Sequence, residues 1–433
     1  MSIIVGAATT GLRPSAQAQA GLRECPDCGL FQRVPALPRG AVARCPRCAA
    51  VLRRHRTDPR GRALALAIAG LILLVAATQE PFLALSIAGR MHRTLLSSGP
   101  VELRAQGLWL LAVVVLATTL LAPLAKLAGL AWVLLGLHLR HPPRYLRLVF
   151  RWVEWLAPWS MVEVFLLGFL VAYTKLIDLA VVRVGIAVYA LGGLMVVMAA
   201  ADAALDHEAI WEAIEAKAPV PRSPSPPPPA AALIGCDTCG LVSRAPAGAD
   251  CPRCGATLHP RKPASTERTW ALLIAAAILY IPANVLPVMT VTSFGRGAPD
   301  TILSGIEKLA RAGMWPLALL VFFASITVPV LKIVSLTGLL LGTRRHAKRR
   351  LRERTLLFRI VDAVGRWSMI DVFMVSILTA VVRLGAIASV TPDPGVLAFC
   401  AVVILTMLAA ATFDPRLMWD AAGRRPLGDA IVR

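Results

Sequence analysis

Charged side chains are scarce in this chain of 433 residues. Asp, Glu, Lys and Arg make up only 16% of it, whereas 57% of its residues are hydrophobic. A soluble domain is typically about one quarter charged, and the mean hydropathy here is +0.67. The composition argues against an ordinary soluble enzyme and predicts a polytopic membrane protein.

Acidic residues are the scarcer charge. The chain has 25 Asp and Glu against 46 Lys and Arg, which gives a net charge of +21. In a soluble protein this excess would suggest nucleic-acid binding. In a membrane protein it is typical of basic loops that face anionic lipid on the cytoplasmic side. The cysteine-rich segments lack a run of interleaved basic and aromatic residues, so no nucleic-acid partner is expected.

Enzyme motifs are missing as well. The chain has no Walker A, G-x-S-x-G or H-E-x-x-H sequence, and His207-Glu208 is followed by Ala-Ile-Trp instead of a second metal ligand. We therefore expect neither an enzyme nor an ATP site in this chain. A signal peptide is not expected either, because no basic residue precedes the short apolar stretch near the N-terminus. We predict that residues 1–20 form a disordered tail.

Eight long apolar runs organise the chain. A spanning helix needs about 20 predominantly apolar residues, and such runs lie at 63–89, 107–137, 156–177, 184–201, 270–294, 314–342, 367–390 and 395–413. A proline-rich linker at 216–233 separates the first four runs from the last four. The sequence predicts an all-α polytopic membrane protein with two tandem four-helix transmembrane units, 57–215 and 263–422, and a C-terminal tail at 423–433.

The two halves form an internal repeat. Pro81 recurs as Pro287 and Lys126 as Lys332, a shift of 206 residues. Further along the shift is 208, since WSMVEVF at 159–165 matches WSMIDVF at 367–373. Four helices separate equivalent points, so the repeat is parallel and not inverted.

Lysine and arginine counts in the short loops predict the orientation. The stretch before the first helix and the loops after the second and sixth helices are strongly basic; they carry Arg53, Arg54, Arg56, Arg60 and Arg62, then Arg140, Arg144, Arg147 and Arg151, then Arg344, Arg345, Lys348, Arg349, Arg350, Arg352, Arg354 and Arg359. By the positive-inside rule these segments face the cytoplasm. We therefore expect both termini, the linker and all the paired cysteines on the cytoplasmic side.

Eight of the nine cysteines form four C-x-x-C pairs, two pairs before each membrane unit. They are Cys25, Cys28, Cys45 and Cys48 within 21–56, and Cys236, Cys239, Cys251 and Cys254 within 234–262. Two such knuckles close a tetrahedral site of four sulfurs, and the spacing is close to that of zinc ribbons. We predict two structural zinc sites; a rubredoxin-like iron site, which suits the same tetrahedral ligands, is the alternative. Redox exchange is less expected because no thioredoxin-like pattern surrounds the cysteines. Cys400 is interpreted as an ordinary core residue.

Charged residues inside the apolar runs are the second candidate site. Each costs at least about 2.5–3.5 kcal/mol at a helix centre, so each should face protein or water. Depth along the helices suggests that Lys126 pairs with Glu163, and Lys332 with Asp371. Such pairs serve either as buried ties between helices or in transport, and the residues leave both open. Lys175 could meet Glu80, and Arg383 is expected to extend to the interface.

Prolines interrupt the apolar runs at repeated positions. Pro123 and Pro329 each precede a lysine by three residues, and Pro282 and Pro287 flank Asn284. A proline frees a backbone carbonyl one turn back, and such a break either lines a cavity or kinks a helix. Pro81 is the one element of the second motif that the first half retains.

These motifs together resemble the paraquat-inducible protein A family. The resemblance rests on two C-x-x-C…C-x-x-C ribbons, each before a four-helix unit, on P-A-N-x-x-P, on P-x-x-K and on W-S-M-[IV]-[DE]-V-F, and it extends from about residue 21 to 419. The matching residues are Pro282, Asn284 and Pro287; Pro123, Lys126, Pro329 and Lys332; and Trp159, Ser160, Glu163, Trp367, Ser368 and Asp371.

The resemblance implies a component of the bacterial inner membrane that handles phospholipid or a similar amphiphile. It also implies a periplasmic MCE-domain protein as partner. The first half lacks the Pro-Ala-Asn element, so we expect the second half to carry the function. The residues are also compatible with a non-transporting scaffold or stress-response anchor whose ribbons recruit a cytoplasmic partner, and with a redox or metal sensor.

Overall fold

The computed structural model describes residues 2–4, 21–35, 37–38, 40–56, 58–87, 90–177, 181–217, 232–293, 296–381 and 388–423. Residues 218–231 of the linker, Arg383, and the tail after residue 423 lie outside this set.

The first ribbon (21–56) consists of two short hairpins around its cysteines. Its strands, with one from the N-terminus, are β1 (Ser2–Ile4), β2 (Leu22–Glu24), β3 (Phe31–Arg33), β4 (Val42–Arg44) and β5 (Val51–Arg54). β2 pairs antiparallel with β3, β4 pairs antiparallel with β5, and β1 adds to β4 in parallel. The predicted disordered tail is thus wrong for residues 2–4, because Ile3 and Ile4 are β-branched and complete an open strand edge; residues 5–20 lie outside the described part.

The first membrane unit (57–215) contains helices and one small sheet. The helices are α1 (Pro59–Gln79), α2 (Ser98–Ala105), α3 (Trp109–Leu116), α4 (Ala122–His138), α5 (Leu146–Leu156), α6 (Val162–Ile177), α7 (Ile186–Ala204) and α8 (His207–Lys217). Strands β6 (Leu83–Ile87), β7 (Arg90–Thr94) and β8 (Val181–Val184) form an antiparallel sheet with β6 in the centre.

The second half repeats this order. The second ribbon (234–262) contains β9 (Ala232–Gly235) and β10 (Val242–Ala245). In the second membrane unit (263–422) the helices are α9 (Ser265–Val285), α10 (Ile302–Arg311), α11 (Trp315–Phe322), α12 (Val328–Arg344), α13 (Leu351–Val364), α14 (Ile370–Val381), α15 (Pro394–Thr412) and α16 (Arg416–Ala421). Its sheet is formed by β11 (Met289–Ser293), β12 (Arg296–Asp300) and β13 (Ala388–Pro392), with β11 in the centre.

Eight helical spans of the described residues are long and apolar enough to cross a membrane, four in each half. They confirm the predicted two tandem four-helix units. The small sheets were not predicted, and they sit where the first helix of each unit ends and where the third leads into the fourth. We call this side of the molecule the sheet end, and the side that carries the cysteines the ribbon end.

A π-helical turn precedes each P-x-x-K motif. The two turns, Ala117–Leu121 and Phe323–Thr327, lie at equivalent positions of the repeat. Proline lacks an N–H and its ring clashes with a carbonyl one turn back, and a wider turn accommodates that mismatch. The helix continues beyond Pro123 and Pro329, so these two prolines widen the helix locally and do not break it.

The other prolines differ in role. Pro81 and Pro287 follow the ends of α1 and α9, where the chain turns into the sheets, so they terminate helices instead of breaking them. Pro282 does lie inside α9. There the side-chain amide of Asn284 donates to the carbonyl of Tyr280 at 2.8 Å, close to the carbonyl that the proline leaves without its helical donor.

The two membrane units meet along α6 and α14. Gly168 lets them approach closely, because a Cβ at this position would lie only 2.9 Å from the Cβ of Phe373. The rings of Phe165 and Phe373, which are equivalent in the repeat, contact edge to face at 5.6 Å. The packed core therefore runs across both halves.

Each ribbon packs against the membrane unit of the other half of the chain. The cysteines of the first ribbon share a buried apolar cluster with Phe413 and Trp419 of the second unit. In the second ribbon, Arg253 pairs at 2.8 Å with Glu215 on α8 of the first unit. Each metal-binding face thus packs against the membrane unit of the opposite half.

Candidate functional site

Each ribbon gathers its four cysteines into one compact group. The sulfurs of each group lie within 4.8 Å of one another, and all eight cysteines are buried. The closest sulfur pairs are Cys25–Cys48 at 3.4 Å and Cys236–Cys254 at 3.5 Å. A tetrahedral zinc site with Zn–S bonds of about 2.3 Å has sulfurs about 3.8 Å apart. Both groups therefore fit a metal ion held by four thiolates.

The backbone of each knuckle directs its two sulfurs to one point. In all four the chain closes with a residue at positive φ, namely Gly29, Ala49, Gly240 and Gly255. The amide of that residue donates to the carbonyl of the first cysteine, for example from Gly29 to Cys25 at 2.9 Å. Four sulfur ligands leave no open coordination position, so such a site is structural and not catalytic.

Lys126 has a partner that the sequence analysis did not name. Its ammonium donates to Asp202 near the ribbon end of α7 at 2.8 Å. The expected pair with Glu163 stays a prediction. Asp202 follows the fourth apolar run directly, so the lysine reaches along its long side chain toward the water-facing end of the bundle.

Lys332 likewise has partners that the sequence analysis did not name. It is almost completely buried, and its ammonium donates to the carbonyl of Gly365 at 2.8 Å and to the hydroxyl of Thr406 at 3.3 Å. The expected direct pair with Asp371 stays a prediction. The carbonyl is available because a 3-10 turn, Gly365–Met369, connects α13 to α14.

The two carboxylates of the W-S-M motifs occupy matching places. Glu163 lies in the first turn of α6, and Asp371 lies in the first turn of α14 and is 3% exposed. Ser160 and Ser368, three residues earlier in each half, are buried beside them. The repeat thus places one carboxylate and one hydroxyl near the unit interface from each side.

A small cavity adjoins Asp371 in the second unit. Its volume is about 30 Å³, enough for about one or two water molecules. Val288, Leu309 and Met374 form part of its apolar wall, and Asp300 lies at its sheet end. The cavity combines apolar walls with a carboxylate at either end.

Aromatic rings fill the equivalent region of the first unit. Phe82 takes the place of Val288, and its ring contacts those of Phe165 and Phe169 at 5.7 and 5.2 Å. The counterpart of Phe169 in the second unit is Ile377. The two halves therefore differ in side-chain volume at this position, although their backbones repeat.

The structure describes Lys175 within α6 but not its side chain, so a contact with Glu80 lies outside what it describes. Asn284 contacts its own helix, as noted above, and its side chain is half-buried.

A charge network at the ribbon end was missed by the sequence analysis. Arg416 is 3% exposed, and its guanidinium contacts Asp414 at 2.9 Å, Asp237 at 3.0 Å and Glu24 at 3.3 Å. Arg261 in turn contacts Glu24. The network joins the first ribbon, the second ribbon and the second membrane unit. The recurrence of Asp206 as Asp414 in the repeat is the sequence signal that could have pointed to this network.

In this network, burial and attraction to the arginines shift the pKa of the carboxylates in opposite directions. Burial raises the pKa of Glu24 above its ordinary value, although Arg416 and Arg261 oppose the shift. Burial would also raise the pKa of Asp414, but hydrogen bonds and attraction from Arg416 outweigh it, so that the pKa lies below the ordinary value. Attraction and hydrogen bonds thus outweigh burial at Asp414 but not at Glu24.

Relatives of known name match nearly the whole chain. It is 35% identical over 401 residues to "Intermembrane transport protein PqiA" of Escherichia coli strain K12, covering 92% of this chain and 95% of that protein. It is 32% identical over 399 residues to "Lipophilic envelope-spanning tunnel protein A" of the same strain, covering 92% and 91%. A "Probable intermembrane transport protein" of Haemophilus influenzae is 36% identical over 174 residues, covering 40% and 42%. No solved structure matches significantly.

The match to a family profile has the same two-part form as the fold. The profile described as "Paraquat-inducible protein A" matches residues 61–215 and again 266–423, which are the two membrane units. The chain is a multi-pass membrane protein and belongs to the paraquat-inducible protein A family.

Proposed function

We propose that this protein is the inner-membrane component of an intermembrane lipid-transport system. It passes phospholipid or a similar amphiphile to or from a periplasmic MCE-domain partner. The observation that carries the proposal is the 35% identity, over almost the full length of both chains, to a protein named for intermembrane transport.

The charge distribution supports an orientation with the ribbon end in the cytoplasm. The segment from the end of α12 into α13 carries Arg344, Arg345, Lys348, Arg349, Arg350, Arg352 and Arg354 against the one acid Glu353. Basic segments next to spanning helices stay on the cytoplasmic side. In this orientation the two sheets face the periplasm, where they lie on the side of an MCE-domain partner.

The cavity beside Asp371 is the proposed place where the amphiphile enters. It lies between the sheet end and the middle of the second unit, and its wall is apolar. Its present volume is far below the roughly 300 Å³ of typical ligand pockets. An acyl chain could therefore enter only after α10 or α11 moves away from α14.

We further propose that both four-cysteine groups hold zinc. Zinc and iron both suit a tetrahedral set of four sulfurs, and the ribbon arrangement of paired knuckles is typical of zinc. When bound, zinc supplies cross-linking of the two hairpins and no reaction. The cysteines of each ribbon hold it, and the glycines of the knuckles shape the turns.

Site-specific photo-crosslinking in cells tests the lipid proposal. A photoreactive amino acid at Met289 or Leu309 should give adducts with labelled phospholipid. The matched controls are Leu83 and Leu103, the equivalent residues of the first unit, where aromatic packing should leave few adducts. Adducts at the second-unit positions would support a lipid site in that half.

No lipid adduct at any of the four positions would contradict the proposal and favour the scaffold alternative. The packing of both ribbons against the membrane units is an argument against that alternative, because it covers faces that a cytoplasmic partner would need. An MCE-domain gene beside the gene for this chain, and co-purification of its product, would support the partner.

A further inference from the structure

An arginine of the second membrane unit reaches the metal-binding group of the first ribbon. Arg359 lies on α13, and its guanidinium donates to the carbonyl of Cys48 at 3.1 Å and to the sulfur of the same residue at 3.5 Å. Its Nε donates to Asp27 at 2.6 Å. Asp27 lies between Cys25 and Cys28, so Arg359 contacts both knuckles of the ribbon.

The contact with sulfur has a chemical meaning once a metal is bound. Four thiolates around a divalent cation leave a net charge of about −2. A guanidinium is always positively charged and presents several donors in a fixed plane. Groups that donate to metal ligands from outside orient them and adjust metal affinity. Arg359 is placed to do this for one ligand directly and for the neighbouring knuckle through Asp27.

A second contact holds the same ribbon face against the second unit. The guanidinium of Arg47, between Cys45 and Cys48, lies over the ring of Trp419 at 4.7 Å. Trp419 also donates to Thr355 on α13 at 3.1 Å. The metal-binding face of the first ribbon is thus docked on α13 and α16 of the opposite half.

The repeat provides an internal comparison. Arg151 on α5 is the equivalent of Arg359 and reaches the second ribbon, but the contact shown is with the carbonyl of Gly255 at 3.4 Å. Thr238 takes the place in the second ribbon that Asp27 has in the first, so the carboxylate that receives Arg359 is replaced by a hydroxyl. Arginine-to-sulfur contact is therefore a feature of the first ribbon in the described structure.

We propose that Arg359 is a positioning residue for the metal site of the first ribbon, so that metal binding by this ribbon and its docking on the second membrane unit stabilise each other. Such coupling is reciprocal by thermodynamic linkage. Removing the arginine should weaken metal binding by the first ribbon, and, in the reverse direction, removing the metal should loosen the packing of α13. The proposal rests on metal binding by the ribbons and is independent of lipid transport.

Zinc transfer to a coloured chelator tests the first direction. The full chain, loaded with zinc in lipid nanodiscs, should release its two zinc ions at separate rates. Arg359→Gln should lower the affinity of one site by about tenfold or more, while the matched variant Arg151→Gln should leave both sites within about twofold of the unchanged protein. Arg359→Lys keeps the positive charge and should restore part of the loss.

Three outcomes would overturn the proposal: no effect of Arg359→Gln, an equal effect of Arg151→Gln, or a lysine variant as weak as the glutamine variant. If the unchanged protein held no metal at all, the zinc proposal would fail together with this one. Lipid adducts in the crosslinking experiment would be unaffected by either result.

Hydrogen exchange of the full chain tests the reverse direction. Chelation should raise amide exchange in the first ribbon and also in Leu351–Val364, whereas α5 should change less. Arg359→Gln should give raised exchange in α13 even with zinc present. Exchange in α13 that does not respond to chelation would contradict the coupling.

Discussion

Lys126 lies 2.8 Å from Asp202, whereas the equivalent lysine of the second half, Lys332, donates to a backbone carbonyl and a threonine hydroxyl. The difference follows from two positions of the last helix in each unit. Asp202 corresponds to Ala410 and Met198 to Thr406, a shift of 208 residues. The first lysine therefore meets a half-exposed acid, and the second lies in the packed interior with 1% of its surface exposed, where an ammonium is far more costly.

Replacing Lys332 by Met distinguishes a structural tie from a transport role. Replacing the buried ammonium by an apolar side chain of similar length removes the cost of burying a charge, but it leaves the carbonyl of Gly365 without this donor, which costs about 1–3 kcal/mol. We expect Lys332→Met to lose no more than about 3 kcal/mol of stability while lipid transport between membranes falls. The measurements are thermal unfolding in detergent and complementation of an envelope defect.

Lys126→Met is the matched control for that experiment. Its ion pair involves an acid whose side chain is 52% exposed, and such pairs contribute up to about 1 kcal/mol. We expect a small loss of stability and a smaller loss of transport than in the second half. A Lys332→Met protein that unfolds, yet transports normally per folded molecule, would show that Lys332 is only a tie.

Exchanging one residue between the halves tests the cavity. Val288→Phe copies Phe82 of the first unit into the second and should fill the small space beside Asp371. We expect transport and lipid crosslinking to fall. Overpacking costs about 1–3 kcal/mol, so the protein should remain folded. Lipid adducts at Met289 and thermal unfolding provide the two measurements.

The reverse exchange, Phe82→Val, should lower stability more than it lowers transport. It removes a ring that packs on Phe165 and Phe169, so we expect a loss of about 2–4 kcal/mol, by analogy with other large-to-small core changes. Transport per folded molecule should change little. Equal transport loss in both variants would argue that the two units share the work.

The sequence predicts the membrane helices well because bilayer thickness fixes their length. It predicts the cysteine groups because four ligands at fixed spacing suit one geometry. The sheets escape notice because β6, Leu83–Ile87, is itself apolar and follows the first helix directly. Only the turn at Pro81 separates the first helix from β6, and a proline in an apolar run is compatible with a kinked helix as well as with the end of a helix.

The partners of the buried lysines, and the packing of each ribbon against the opposite half, depend on tertiary structure and have no local sequence signal. Asp202 lies just past the fourth apolar run, so the sequence predicts that it belongs to a loop. Arg359 and Asp27 are 332 residues apart, and no local pattern relates them. The recurrence of Arg151 as Arg359 marks the position as special, but only the folded chain shows that each arginine reaches the ribbon of the other half.

Metal analysis of the purified protein tests the ribbons themselves. We expect two zinc ions per chain and little iron, with zinc content unaffected by mild oxidant because the site is filled and structural. Cys28→Ser should lower the content to one zinc and destabilise the first ribbon. Cys400→Ser, a change of a buried cysteine in α15, should leave two. Zinc lost on oxidation, or iron at both sites, would support the sensor alternative.

Acid should weaken the ribbon-end network through Asp414. Its pKa lies below the ordinary value of 3.8 because Arg416 outweighs the effect of burial. A carboxylate with a lowered pKa in the folded state contributes stability above its unfolded pKa, and that contribution is lost as the pH falls through the folded pKa.

We expect Asp414→Asn to be clearly less stable than the unchanged protein at about pH 7, with a difference that shrinks as the pH falls toward about 3 and below. Asp206, at the equivalent position of the first unit, accepts from the amide of Ala209 at 3.2 Å. The side-chain oxygen of asparagine can accept the same bond, so Asp206→Asn should show a smaller, flatter difference. Thermal unfolding across this pH range measures both, and a difference for Asp414→Asn that stays constant or grows in acid would show that its carboxylate does not stabilise the network through its charge.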